Sequence, residues 1–147
     1  MILDQQISFE NDIDFLVSWW RERNGLFVDL DEVLMKVVMH AKPSRELGHP
    51  VPRLIGTQSL HSKILGSTNP KLLSVNINKY VPEYASEIFD GYLYASENFE
   101  PVLSAHSLTA TISEGPVDFT YQRLLLPVRT RVGAEAILTY SQPIQLN

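Results

Sequence analysis

Three consecutive leucines, Leu124-Leu125-Leu126, sit inside a segment from Val117 to Thr130 whose alternating and β-branched texture marks a strand. Successive strand side chains point to opposite faces, so this triplet puts apolar groups on both sides of whatever sheet contains it. Such a strand cannot lie in a sheet with one wet face, and each face needs a cover. Two neighbours are read beside it: Val102 to Ser113, with Leu108, Ala110 and Ile112 on one face, and Glu135 to Tyr140 extending towards Ile144. The connections Glu114-Gly115-Pro116 and Arg129 to Ala134, the latter with Gly133, are short enough to make adjacent strands antiparallel.

Covers for the two faces are sought upstream. Within Asn11 to Asn24, Ile13, Leu16, Val17 and Trp20 follow the i, i+3, i+4, i+7 spacing of one helical face, and Gly25 supplies a stop. Phe15 and Trp19 widen that surface, while Asn11, Asp12 and Asp14 suit the positive end of the helix dipole. Phe15, Trp19 and Trp20 are therefore expected to pack this helix on the sheet or to form a dimer contact. Asp29 to Glu32 suits the start of a short helix, and residues 37 to 42 and 52 to 58 read as a strand pair across a proline-rich turn. Ser59 is a candidate cap for a short helix over 60 to 65 ending at Gly66. The longest helix is expected over 82 to 99, where Tyr84, Ala85, Ile88, Phe89, Tyr92, Leu93 and Ala95 track a 3.6 period despite Gly91. The whole reads as one α+β domain over 1–147, with an N-terminal helical extension at 1–25 and a core at 33–147.

Composition removes several functions. With 12 basic against 17 acidic residues the net charge is −5, and no basic stripe is present to neutralise a phosphate backbone, so no direct nucleic-acid partner is expected. The charge is uneven: residues 1 to 32 hold mostly acids, residues 33 to 76 mostly bases. The absence of cysteine excludes disulfides, thiolate metal sites, cysteine nucleophiles and any cysteine-linked chromophore. No apolar run approaches the roughly 20 residues that span a bilayer, and the cytoplasm is the expected compartment.

The residues that carry chemistry are few. His40, His49, His61 and His106 include no pair at i, i+3 or i+4, so no metal site is expected. His106 shares a strand face with Leu108, Ala110 and Ile112, and is either a hydrogen-bonded core histidine or a ligand contact. The serines around it are sequence neighbours and do not make a triad. Tyr84, Tyr92 and Tyr94 either place hydroxyls at a cavity wall or fill core. Arg53 and Arg123 lie in expected strands, where a buried guanidinium demands an acidic ligand, a carboxylate partner or solvent. There is no G-x-S-x-G, Walker loop, dinucleotide fingerprint or H-E-x-x-H, so no enzyme is expected. Residues 80 to 99 hold no His, Cys or Met to ligate a haem.

Three stretches, LVSWWRERNG at 16 to 25, VPRLIGTQSLHSKILG at 51 to 66 and YQRLLLPVRTRVGAEAILTYSQP at 121 to 143, resemble a divergent bacterial PAS-like family. The matching pieces are Trp20-Arg21 before a turn, Arg53-Leu54 leading to Gly56-Thr57, and Arg123 to Pro127 entering the fourth strand. The hairpin RTRVGAEA after Pro127 is longer than the family's glycine- or aspartate-bearing polar turn. The resemblance implies a five-stranded antiparallel sheet with helices over a pocket on one face and the N-terminal helix on the other. It further implies a non-catalytic sensory or regulatory domain in signal transduction, whose signal leaves through a protein partner or a homodimer. Its ligand site would draw on Arg53, His106, Tyr84, Tyr92 and Arg123. No cofactor is required, although a non-covalent flavin or small metabolite fits the class. The alternatives are a constitutive dimerisation module whose core is filled by its own side chains, and a small α+β enzyme or carrier, which needs titratable groups converging in a cavity.

Overall fold

The computed structural model describes residues 2–27, 35–60, 62, 68–69, 82–112 and 115–144, with side chains at 12–27, 35–60, 62, 68–69, 89–107 and 120–144. Helix α1 runs Ile2–Arg23. It begins well before Asn11 because no glycine or proline interrupts the chain between Ile2 and Arg23. Asn24 (φ 50°) and Gly25 (φ 75°) then turn left-handed, and the Gly25 amide donates to the Trp20 carbonyl at 3.0 Å, which closes the helix. The expected short helix near Asp29 to Glu32 lies outside the described residues.

Strands β1 (Val38–Ala41) and β2 (Pro52–Ile55) are shorter than the spans 37 to 42 and 52 to 58. Their ladder shifts register between Met39 and His40, so Arg53 is left over as a bulge residue, and beyond Ile55 the chain turns at Gly56. Ser59 caps the following turn as expected: its Oγ accepts the Ser62 amide at 3.1 Å and donates to the Gly56 carbonyl at 2.7 Å. Most of residues 60 to 65 lies outside the described residues. Helix α2 is Pro82–Asn98, and strands β3 (Val102–Ile112), β4 (Gly115–Arg129) and β5 (Glu135–Pro143) complete the chain. Gly115 and Pro116 belong to β4 and not to a turn, because Gly115 already pairs with Ile112. The β4–β5 hairpin closes through Thr130, whose amide donates to Ala134 O at 2.8 Å and whose Oγ1 accepts the Ala134 amide at 3.0 Å, with Gly133 at φ 88° between.

The five strands form one antiparallel sheet in the order β2-β1-β5-β4-β3. Alternation along β4 divides the core in two. Leu124, Leu126 and Val128 pack with Val37, Leu138 and Tyr140 against Leu16 and Trp19 of α1. Leu125, with Ile137, packs against Tyr92 and Ala95 of α2. Each sheet face therefore has its own helix, as the leucine triplet requires.

Polar contacts fix α1 on its face. Asp12 receives Lys36 Nζ at 2.8 Å and the Tyr140 hydroxyl at 3.3 Å, and the Trp20 indole N–H donates to the Pro127 carbonyl. Beyond α1 the chain adds itself to the end of β4: Arg129 N–H donates to Gly25 O at 2.8 Å and Phe27 N–H to Arg129 O at 2.9 Å. Trp19 is 5% exposed whereas Phe15, four residues earlier, is 54% exposed. Trp19→Ala is expected to cost about 3–5 kcal/mol and Phe15→Ala within about 0.5 kcal/mol, read from chemical denaturation midpoints.

Candidate functional site

The α2-facing side of the sheet is lined unlike its opposite. Where the α1 side buries mainly hydrocarbon, the α2 side carries His40 on β1, Thr139 and Ser141 on β5, Arg123 on β4, and Ser104 and His106 on β3. Register brings these together: Arg123 pairs with Ser104 on one side and Ser141 on the other, and Tyr121 pairs with His106. Directly opposed residues have Cβ atoms about 4.5–5.5 Å apart, so three polar side chains stand in a row across β3, β4 and β5.

Two hydrogen-bonded groups flank that row. His40 Nδ1 lies 3.0 Å from Thr139 Oγ1, which lies 2.8 Å from the Tyr92 hydroxyl, so α2 is tied to β1 through β5. The His40 ring also meets the Tyr92 ring edge-on at 4.8 Å. On the other side Ser104 Oγ lies 2.7 Å from His106 Nε2, and the His106 ring stacks obliquely on Tyr121 at 5.5 Å.

Between them sits Arg123, 3% exposed, its Cζ 5.2 Å from the centre of the Tyr92 ring. Among the described residues, Nε and Nη1 of this guanidinium and the buried Oγ of Ser141 find no hydrogen-bond partner. Gly91 makes room for the group: a Cβ there would stand 2.5 Å from Nη2. A glycine inside an otherwise regular helix is thus explained by the charge beneath it.

The electrostatics follow from burial. Tyr92 is pushed up from 10.0 to about 12 by desolvation, against the opposing pull of Arg123 and the Thr139 hydrogen bond. His106 is held below its ordinary 6.5, first by burial and then by the Arg123 charge. On the far face Tyr140 is raised as well, by burial and then by Asp12.

Of the residues expected at a ligand site, Arg123, His106 and Tyr92 are brought together. Arg53 is not part of this group. It is exposed at the β1–β2 bulge on an edge strand, because the register shift excludes it from the ladder, and solvent meets its charge. The Tyr84 side chain lies outside the described residues, and Tyr94 is exposed. Trp19 and partly buried Trp20 pack α1, whereas Phe15 faces solvent. His49 Nδ1 sits 3.1 Å from its neighbouring Pro50 carbonyl, and His61 lies outside the described residues. No group of three potential metal ligands occurs among the described residues.

Sequence reasoning passed over His40, Ser104, Thr139, Ser141 and Gly91. Ser104 and His106 are two apart in one strand, so alternation alone places them on one face. Thr139 and Ser141 share a parity along β5, and Gly91 inside a helical pattern is itself a sign of a close approach. No protein-family model matches this chain, and no curated protein matches it. No helix among the described residues is long and apolar enough to cross a membrane.

Gly91→Ala ordinarily stabilises a helix interior by about 0.5–1 kcal/mol, but here the added methyl meets the guanidinium. The substitution is expected to lower the denaturation midpoint in the native chain and to raise it in an Arg123→Ala background; the same sign in both would disprove the contact. A second expectation concerns alkali. Because Tyr92 holds its proton more tightly folded than unfolded, its contribution is complete below pH 10.0 and is lost as pH rises towards about 12. Stability should fall over that interval, with a shallower slope in Tyr92→Phe, when measured by denaturation at stepped pH.

Proposed function

We propose that this chain is a non-catalytic sensory or regulatory domain of the PAS-like kind, which receives a small molecule between α2 and its sheet. The single observation that carries this reading is the unequal chemistry of the two sheet faces. The α1 face is closed mainly by hydrocarbon, its polar groups including Asp12 with Lys36 and Tyr140 and the paired Gln122 and Gln142, while the α2 side concentrates Arg123, Ser141, Thr139, His40 and His106. Of these, His40, Thr139 and His106 have hydrogen-bond partners, whereas Arg123 Nε and Nη1 and Ser141 Oγ have none among the described residues; such groups are buried at a cost, and a bound molecule with complementary groups matches them. The element order, with two strands before α2 and three antiparallel strands after it, supports the same reading. Filling the site would favour one packing of α2 on the sheet over another in proportion to the ligand's differential affinity for the two. The signal would leave through a protein partner or a second copy.

A second reading, a constitutive dimerisation module, draws on Phe15 and Leu103, exposed by 54% and 53% on the α1 side of the sheet. Native mass spectrometry of the full chain purified from its own cells, with an absorption spectrum alongside, separates the two. A retained small molecule, released on mild denaturation, is the expected outcome. A dimer with no bound molecule would transfer the assignment to the interaction module.

A further inference from the structure

The identity of the buried charge narrows the ligand class. Among the described residues Lys36, Lys42, Arg45 and Arg129 each meet a carboxylate, on Asp12, Glu135, Glu97 and Glu135 respectively. Arg123 is the most deeply buried cation described and has no such partner there. The Tyr92 ring lies 5.2 Å from the guanidinium Cζ and offsets part of the charge, while Nε and Nη1 meet no hydrogen-bond acceptor among the described residues. A desolvated cation with free donors is costly alone and becomes favourable when an anion arrives with lone pairs for those donors.

Building on the reading of an interior ligand site, we infer that Arg123 binds the carboxylate group of an organic acid, with the Ser141 hydroxyl as a further donor beside it. A single permanent positive charge is balanced by one negative charge. Burial and then the Arg123 charge hold His106 below its ordinary 6.5, which disfavours a second cation beside a phosphate dianion. The aromatic surfaces of Tyr92 and Tyr121 and the apolar Leu125 and Val102 nearby suit the hydrocarbon part of such an acid.

The test compares acetate, succinate and benzoate with their matched amides and with inorganic phosphate, by thermal shift and titration calorimetry on the full chain. At least one acid should raise the melting temperature where its amide and phosphate do not. Arg123→Met should melt no lower than the native chain without ligand, since it removes an unmatched buried charge, yet should lose roughly tenfold or more in affinity for that acid. If the methionine variant fails to fold, Arg123→Lys serves, keeping the charge but losing the planar donors, with the same direction of change expected. Unchanged acid binding in either variant, stronger binding of phosphate, or no response to any acid would overturn the carboxylate assignment. Native mass spectrometry keeps that failure distinct from failure of the wider reading: a retained neutral molecule overturns only the carboxylate, whereas a chain that retains nothing overturns both.

Discussion

The burial of β4 on both faces is the constraint from which the remaining architecture follows. Each of Leu124, Leu125 and Leu126 is worth about 1.5–3 kcal/mol when removed from water, so neither face of the strand tolerates exposure. Satisfying one face requires α1, whose Leu16 and Trp19 reach Leu124 and Leu126; satisfying the other requires α2, whose Tyr92 and Ala95 reach Leu125. The flanking strands β3 and β5 then pair with β4 along most of its length and fix its register. Arg123 stands one position before the leucines, on the α2 side, where the same double burial strips its charge of water. The domain therefore combines an apolar seam and a desolvated cation on one strand.

The two faces are held by different kinds of force. On the α1 side a continuous apolar cluster carries the packing, and Asp12 with Lys36 and Tyr140 fixes the helix against sliding. On the α2 side the apolar cluster is smaller, and orientation comes from the relay His40, Thr139 and Tyr92. Hydrogen bonds are directional and exchange partners readily, whereas an interdigitated apolar seam does not. The α2 face accordingly depends on directional polar contacts, and the α1 face on interdigitated apolar packing.

Much of this frame was legible in the sequence. Leu124 to Leu126 required covers on both faces, and the helical spacing of Leu16 and Trp20, together with Trp19, supplied one of them. The site was legible only in part. Strand alternation places Arg123 but does not say which partners stand beside it, because that depends on register with β3 and β5, to which a one-residue difference is decisive. Arg53 stands apart from that group for a related reason: a single bulge excludes it from a ladder that simple alternation takes to be regular. Thr139 and Ser141 were overlooked because small hydroxyls in a strand carry no signal until their neighbours are known.

The junction at Gly25 is a steric one. Phe99, at φ 50° just past the end of α2, lies 5.8 Å from the Trp20 ring and directly under the Arg129 guanidinium at 4.2 Å, so close to Gly25 that a methyl there would stand 2.6 Å from its ring. The two helices cover opposite faces of the sheet, yet their C-terminal ends meet around one aromatic ring. Their ends thus share one contact, in which Phe99, just past α2, fills the space that a side chain at Gly25, just past α1, would need.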